Sequence, residues 1–141
     1  MTQQYLIRGI PAPMVELFWK FAEPYIKRAL DHTVGEFKPA DIKMYCKDRV
    51  IQLWLISEGE RVIGAATTEL ITYPQGKHCR VVTLGGSKAV EWMPMLDVVL
   101  LEWARQQGCV AMEAFVRKGF VPVLANYGYK HQYSAVFKPI L

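Results

Sequence analysis

The sequence predicts a mixed α/β fold, one domain over residues 1–141, with a central, mostly antiparallel sheet covered by helices on both faces. Three observations predict it. Two long runs repeat their apolar residues at three- and four-residue spacing, the mark of amphipathic helices. Between them lie three runs rich in β-branched and aromatic residues, separated by turn-forming clusters. A further strand-like run follows the second helix, where a right-handed crossover would set it parallel to the third strand.

The elements follow in order. After Pro11 and Pro13, which suit a helix's first turn, Val15, Phe18, Trp19, Ala22, Ile26 and Ala29 form one apolar stripe ending by His32. Pro24 lies inside it and predicts a kink or break near Ala22 and Glu23. Residues 33–39, with Gly35 and Pro39, read as a connection, and 41–47 as a short helix with Ile42, Tyr45 and Cys46 on one side. Residues 50–56 and 61–71 read as a hairpin around the turn 57–60; Tyr73-Pro74-Gln75-Gly76 turns the chain again into a third strand, 77–84. Gly85-Gly86-Ser87 is expected to stop that strand, and Pro94 to open the next helix. That helix carries Leu96, Val99, Leu100 and Trp103 on one face and exits at Gly108. Residues 110–116 form the parallel strand, 120–127 a short helix ending at Gly128, and 133–137 a final strand.

Composition excludes several classes. A chain of 141 residues buries roughly two-thirds of its unfolded surface and needs no disulfide or metal staple. With 52% hydrophobic and 21% charged residues it is neither disordered nor fibrous. Apolar stretches such as Val98 to Leu101 fall far short of the roughly 18 residues that a membrane span demands. Residues 1–10 carry one Arg and no apolar core of secretory-signal length, so a cytoplasmic location is expected. Cys46, Cys79 and Cys109 are an odd, widely spaced set, which fits buried thiols in a reducing compartment. The net charge of +4 comes from dispersed side chains, not from one basic element interleaved with aromatics, so no nucleic-acid partner is expected.

Several local patterns occur together: Gln52-Leu53-Trp54-Leu55; Ala65-Ala66-Thr67-Thr68-Glu69; Arg80-Val81-Val82 leading into Leu84-Gly85-Gly86; Glu102-Trp103-Ala104-Arg105 followed by Gly108-Cys109; and Arg117-Lys118-Gly119-Phe120 before Tyr127-Gly128-Tyr129. In this order, over about two-thirds of the chain, they resemble the GNAT family of N-acetyltransferases, and within it the small GNAT-like proteins that phages and prophages encode. The resemblance implies a GNAT-like fold. It also implies that the pyrophosphate of acetyl-CoA would lie on the loop between the third meander strand and the next helix. The family pattern there is Arg or Gln, two residues, Gly, one residue, then Gly or Ala. This chain has Leu84-Gly85-Gly86-Ser87-Lys88-Ala89-Val90-Glu91-Trp92, so the spacing is absent, and Glu91 adds a negative charge. Gly85, Gly86, Ser87 and Lys88 form an anion nest on one reading. On the other they form a turn whose glycines supply backbone angles.

The resemblance further implies a tyrosine as proton donor to the departing thiolate, four residues before the glycine of the last helix, where this chain has Leu124. Tyr127 and Tyr129 are expected to pack or face solvent. The carboxylates available as base are Glu69 and Glu113, although Glu113 reads rather as a half-exposed strand residue or a partner of Arg117. His32, His78 and His131 are too dispersed to form a base or a metal site, and Cys109 reads as a small buried residue.

The expectation is therefore a phage-type GNAT-fold protein without ordinary acetyltransferase chemistry: a structural or interaction component of a virion or of head assembly. It would need no cofactor or metal and would meet a protein partner or a second copy. Trp54, Trp92, Trp103 and Tyr127 are candidates for its contact face wherever exposed, Trp103 reading rather as core. The alternative is an active acyl-CoA-dependent N-acetyltransferase with a variant pyrophosphate loop, holding acetyl-CoA on Gly85, Gly86, Ser87 and Lys88 and using Glu69 or Glu113 as base.

Overall fold

A computed structural model describes residues 4–141. Its element order is β1 (Tyr5–Ile10), a 3₁₀ turn (Ala12–Met14), α1 (Val15–Leu30), α2 (Pro39–Lys47), β2 (Ile51–Glu58), β3 (Arg61–Tyr73), β4 (Gly76–Gly86), α3 (Ala89–Gln106), β5 (Cys109–Ala114), a second 3₁₀ turn (Lys118–Phe120) and α4 (Val121–Ala125). The five strands lie in sequence order, β1 to β4 antiparallel and β5 parallel to β4. The expected mixed sheet between helices is what forms.

Strand alternation divides the core in two. On β2, Ile51, Leu53 and Leu55 face α1 and α2, where Val15, Trp19, Ala22, Ile26 and Leu30 supply the buried stripe of α1. Trp54 and Ile56 face the opposite way, onto Trp92, Met93, Leu96 and Leu100 of α3. Trp54 and Trp92 are thus core residues, while Trp103 stands edge-on to Trp54 at 5.2 Å and Tyr127 packs beside them. Cys46 and Cys79 are buried, and burial pushes both thiols up to about 12.

Five expectations are corrected. Strand β1 is additional: Arg8 and Gly9 blur its alternation, and Gly9 lies where a side chain would press the Trp54 ring. Helix α1 runs unbroken through Pro24, because Pro24 and Lys20, whose carbonyl loses its partner, both lie on the solvent face where water replaces the bond. The same holds in α3, which begins at Ala89 and carries Pro94 inside; the freed Val90 carbonyl belongs to a residue that is 87% exposed. Gly85 and Gly86 do not end β4 but belong to it, opposite Ala65 and Gly64. Finally, 133–137 forms no strand. Its alternating pattern suits one, but a strand exists only with a ladder partner, and here the segment has none among the described residues.

One irregularity shapes the sheet. Thr67 pairs with Thr83 and Thr68 with Val81, so Val82 is an extra residue in β4. The buried Thr67 hydroxyl accepts the Thr83 amide at 3.1 Å and meets the Thr83 hydroxyl at 2.7 Å. Behind it Thr68 accepts the Trp54 indole at 2.9 Å and donates to Gln52 at 3.0 Å. The side chain of Thr67 thereby replaces the ladder bond that the bulge removes. Thr67→Val, which keeps the shape and deletes the acceptor, leaves the buried Thr83 amide unpaired. It is expected to lower stability by about 1–3 kcal/mol in urea unfolding; an unchanged midpoint would contradict this role.

Candidate functional site

Parallel pairing between β4 and β5 runs from Lys77 opposite Cys109 to Val81 opposite Ala114. There the two strands part: β4 continues to Gly86 along β3, whereas β5 ends at Ala114. The gap between them is a cleft with a cavity of about 190 Å³. Val81, Val82, Thr83 and Leu84 form one wall, and Ala114, Phe115, Val116 and Arg117 the other. Met93, Leu96 and Leu100 of α3, with Phe120 and Leu124, close the α3 side; Ala29, His32 and Thr33 at the end of α1 form the opposite rim.

Few polar groups reach this apolar slot. Asp97 on α3 is one, and burial pushes its carboxyl up from the usual range. Tyr127 and Tyr129 are two more, so neither simply faces solvent. Burial, helped by the neighbouring Asp97 carboxylate, holds the Tyr129 phenol up at about 12; its hydroxyl keeps its proton throughout the neutral range. At the α1 rim, Arg117 Nη1 lies 3.4 Å from His32 Nδ1. Sequence reasoning set Tyr129 and His32 aside and passed over Asp97 altogether. Asp97 did leave a signal, since it falls on the same helical stripe as Met93, Leu96, Leu100 and Ala104.

The residues singled out from the sequence occupy different places. Gly85 packs against α1, where an added Cβ would lie 3.2 Å from the Tyr25 carbonyl oxygen. Gly86 has φ +154°, and a Cβ there would lie 2.5 Å from Gly64 Cα. The Ser87 amide donates to the Ile63 carbonyl at 2.8 Å, and the Ser87 carbonyl accepts the Trp92 indole at 2.6 Å. Lys88 precedes α3 in the left-handed region, φ 58°, with its ammonium 3.1 Å from both oxygens of Glu58. No side chain caps the first turn of α3.

Glu69 lies on β3 between Ile51 and Arg80, a full strand from β5. Glu113 sits on β5 beneath the cleft, in a cluster of its own. Tyr73 donates to it at 2.8 Å, Arg80 Nε at 3.0 Å, and His78 Nδ1 lies 3.0 Å away. Its ion-pair partner is therefore Arg80, not Arg117. Burial pushes the Glu113 carboxyl up, but the bonds from Tyr73, Arg80 and His78 and the charge of Arg80 outweigh it and hold the group below 4.5. Among the described residues, no three His, Cys, Asp or Glu side chains gather as a metal site would require. No helix is long and apolar enough to cross a membrane among the described residues.

No protein-family model matches the sequence, and no curated protein does. Solved structures of similar fold do match. An aminoglycoside acetyltransferase from an uncultured soil metagenomic sample superposes with TM-score 0.74 at 10% identity, over 98% of this chain and 99% of that one. Aminoglycoside N-acetyltransferase AAC(6')-Iy in complex with CoA gives TM-score 0.70 at 13% identity, over 99% and 97%. A predicted acetyltransferase with acetyl-CoA from Clostridium acetobutylicum gives 0.69 at 15% identity, over 96% of each chain. The chain has the GNAT acetyltransferase fold.

The Glu113 cluster makes a prediction. A carboxyl held below its ordinary value stabilises the fold above that value, and the contribution disappears as pH falls through the lowered one. Glu113→Gln is expected to lower the melting temperature at pH 7 and to shrink the difference from the native protein steadily below pH 4.5. Thermal melts across that range check it, and a difference independent of pH would contradict the account.

Proposed function

We propose that this protein is an acyl-CoA-dependent N-acyltransferase whose cofactor lies in the cleft between β4 and β5. The observation that carries the reading is the parting of two parallel strands after Val81 and Ala114 beside an apolar slot. Parted strands leave backbone amides and carbonyls without ladder partners on both walls, and an amide-bearing arm such as pantetheine can take them up. The similar structures determined with CoA and with acetyl-CoA support this use of the fold. Nothing in the comparisons favours the virion or head-assembly role, so the enzymatic alternative becomes the main reading.

The residues present fit the cofactor in two respects: the slot is apolar, and the first turn of α3 is uncapped at the end where a helix field favours an anion. Lys88 joins that anion site only by leaving Glu58. Acetyl-CoA supplies an acyl group activated as a thioester. Tyr129, protonated in the cleft, is placed to give its proton to the departing thiolate in place of the missing tyrosine at Leu124. His32 at the α1 rim is the imidazole placed to take the proton of an incoming ammonium, a role that suits it better than Glu113, which three partners hold ionised.

Calorimetric titration with acetyl-CoA tests the proposal. The expected result is saturable binding with Kd about 1–100 µM, lost in Ala114→Trp, which fills the slot while leaving the circular dichroism unchanged. No heat and no thermal shift from the native protein would overturn it. In an acyl-transfer assay Tyr129→Phe is expected to lower kcat by roughly 10²-fold; unchanged turnover would remove Tyr129 from the mechanism.

A further inference from the structure

Arg117 stands at the rim of the cleft without a carboxylate. Glu113 is taken by Arg80 at 3.0 Å, and among the described residues no acidic side chain lies within ion-pair distance of the Arg117 guanidinium. Arg80 is fully engaged, bonded to Glu113 and Tyr73 and lying over the Phe115 ring at 4.5 Å. Among the residues that line the cleft, Arg117 is the one arginine or lysine. Its side chain is exposed, and the one hydrogen bond that its guanidinium makes among the described residues is with His32 Nδ1, at 3.4 Å.

That contact has a direction. A guanidinium carries donors only and stays charged at any ordinary pH. His32 Nδ1 therefore accepts, and the proton of the ring sits on Nε2. In this arrangement the lone pair that could take up a proton is covered. The bond is long and lies at an exposed rim, whereas an anion forms shorter bonds with a guanidinium, roughly twice as strong as neutral ones. An anion arriving there draws Arg117 away from His32. The phosphates of the cofactor do not compete for this place, because Arg117 meets the α1 rim, across the cleft from the side that α3 closes.

We infer that the acceptor amine carries an anionic group on a nearby atom, a carboxylate or a phosphate, and that Arg117 binds this anion and thereby uncovers His32 Nδ1. The inference rests on the acyltransferase reading of the cleft. Arg117 and His32 are one hydrogen bond apart, so an amine at the imidazole and an anion at the guanidinium belong to one small molecule with few bonds between them. An amino acid or an aminoalkyl phosphate has this form, and a polycationic amine does not. With Arg117 on the anion, an N–H bond of the ammonium breaks toward His32. The electron pair stays on the amine nitrogen, the proton bonds to Nδ1, and the ring becomes imidazolium. Arg117 is thus a specificity and positioning residue, and His32 takes up a proton only when an acceptor of the right charge has arrived.

Calorimetry on the protein saturated with coenzyme A, which has no acyl group to transfer, tests this with β-alanine, aminoethyl phosphate and β-alaninamide. At least one of the two anionic amines is expected to bind roughly 10- to 100-fold more tightly than the amide, and the tighter of the two tells carboxylate from phosphate. Arg117→Ala should erase the difference. In turnover with acetyl-CoA the same variant should lower kcat/KM for the anionic acceptor through KM and raise kcat for the amide, since His32 is then uncovered without an anion. Opposite signs on two acceptors cannot come from a damaged fold. Native protein that binds the amide as tightly as the anionic amines, or a variant that loses both acceptors alike, would overturn the inference and leave the cofactor reading standing. Absence of coenzyme A binding in the first titration would overturn both.

Discussion

The contact between Thr67 and Thr83 is the constraint on which the candidate site depends. A regular β4 would stay in step with β3 to its end and offer β5 a straight neighbour. The extra residue Val82 breaks that step, and the Thr67 hydroxyl makes the break tolerable by accepting the Thr83 amide. An unpaired buried amide costs about 1–3 kcal/mol, a large share of the roughly 5–15 kcal/mol that holds a domain of this size together. The bulge survives because a threonine stands opposite it. Just past Val81 the parallel strand leaves and the cleft opens.

The cleft and its surroundings divide the polar residues by the company they keep. Glu113 has three partners and is fixed in its ionised form, an arrangement that ties β3, β4 and β5 together through Tyr73, His78 and Arg80. Tyr129 and Asp97 stand in an apolar slot, where burial favours the protonated form of each. The Tyr129 phenol, kept protonated at neutral pH, is useful as a donor, and a carboxylate already bound on every side is a poor base. The division runs opposite to the simple expectation that the strand carboxylates carry the chemistry.

Much of the architecture was legible because it rests on local pattern. The α1 stripe, the hairpin of β2 and β3, the crossover through α3 and the parallel β5 all follow from apolar spacing and turn residues. What the sequence hid depends on partners. Pro24 and Pro94 look like helix boundaries until their freed carbonyls prove to face water. Gly85 and Gly86 read as a loop, yet they are strand residues that let Tyr25 and Gly64 come close. Residues 133–137 carry a strand pattern with no strand beside them. The site was less legible than the fold, since the cleft gathers Asp97, Tyr129, His32 and Arg117 from four separate stretches of chain. Only Asp97 left a trace, as a carboxylate on an apolar stripe.

The reading of the cleft as a cofactor site is tested most directly by the crystal structure of the protein grown with coenzyme A. The account predicts the pantetheine arm between Val82 to Leu84 on one side and Ala114 to Val116 on the other, with the pyrophosphate at the start of α3. A cleft closed by its own side chains, with the cofactor absent or bound on another surface, would contradict it.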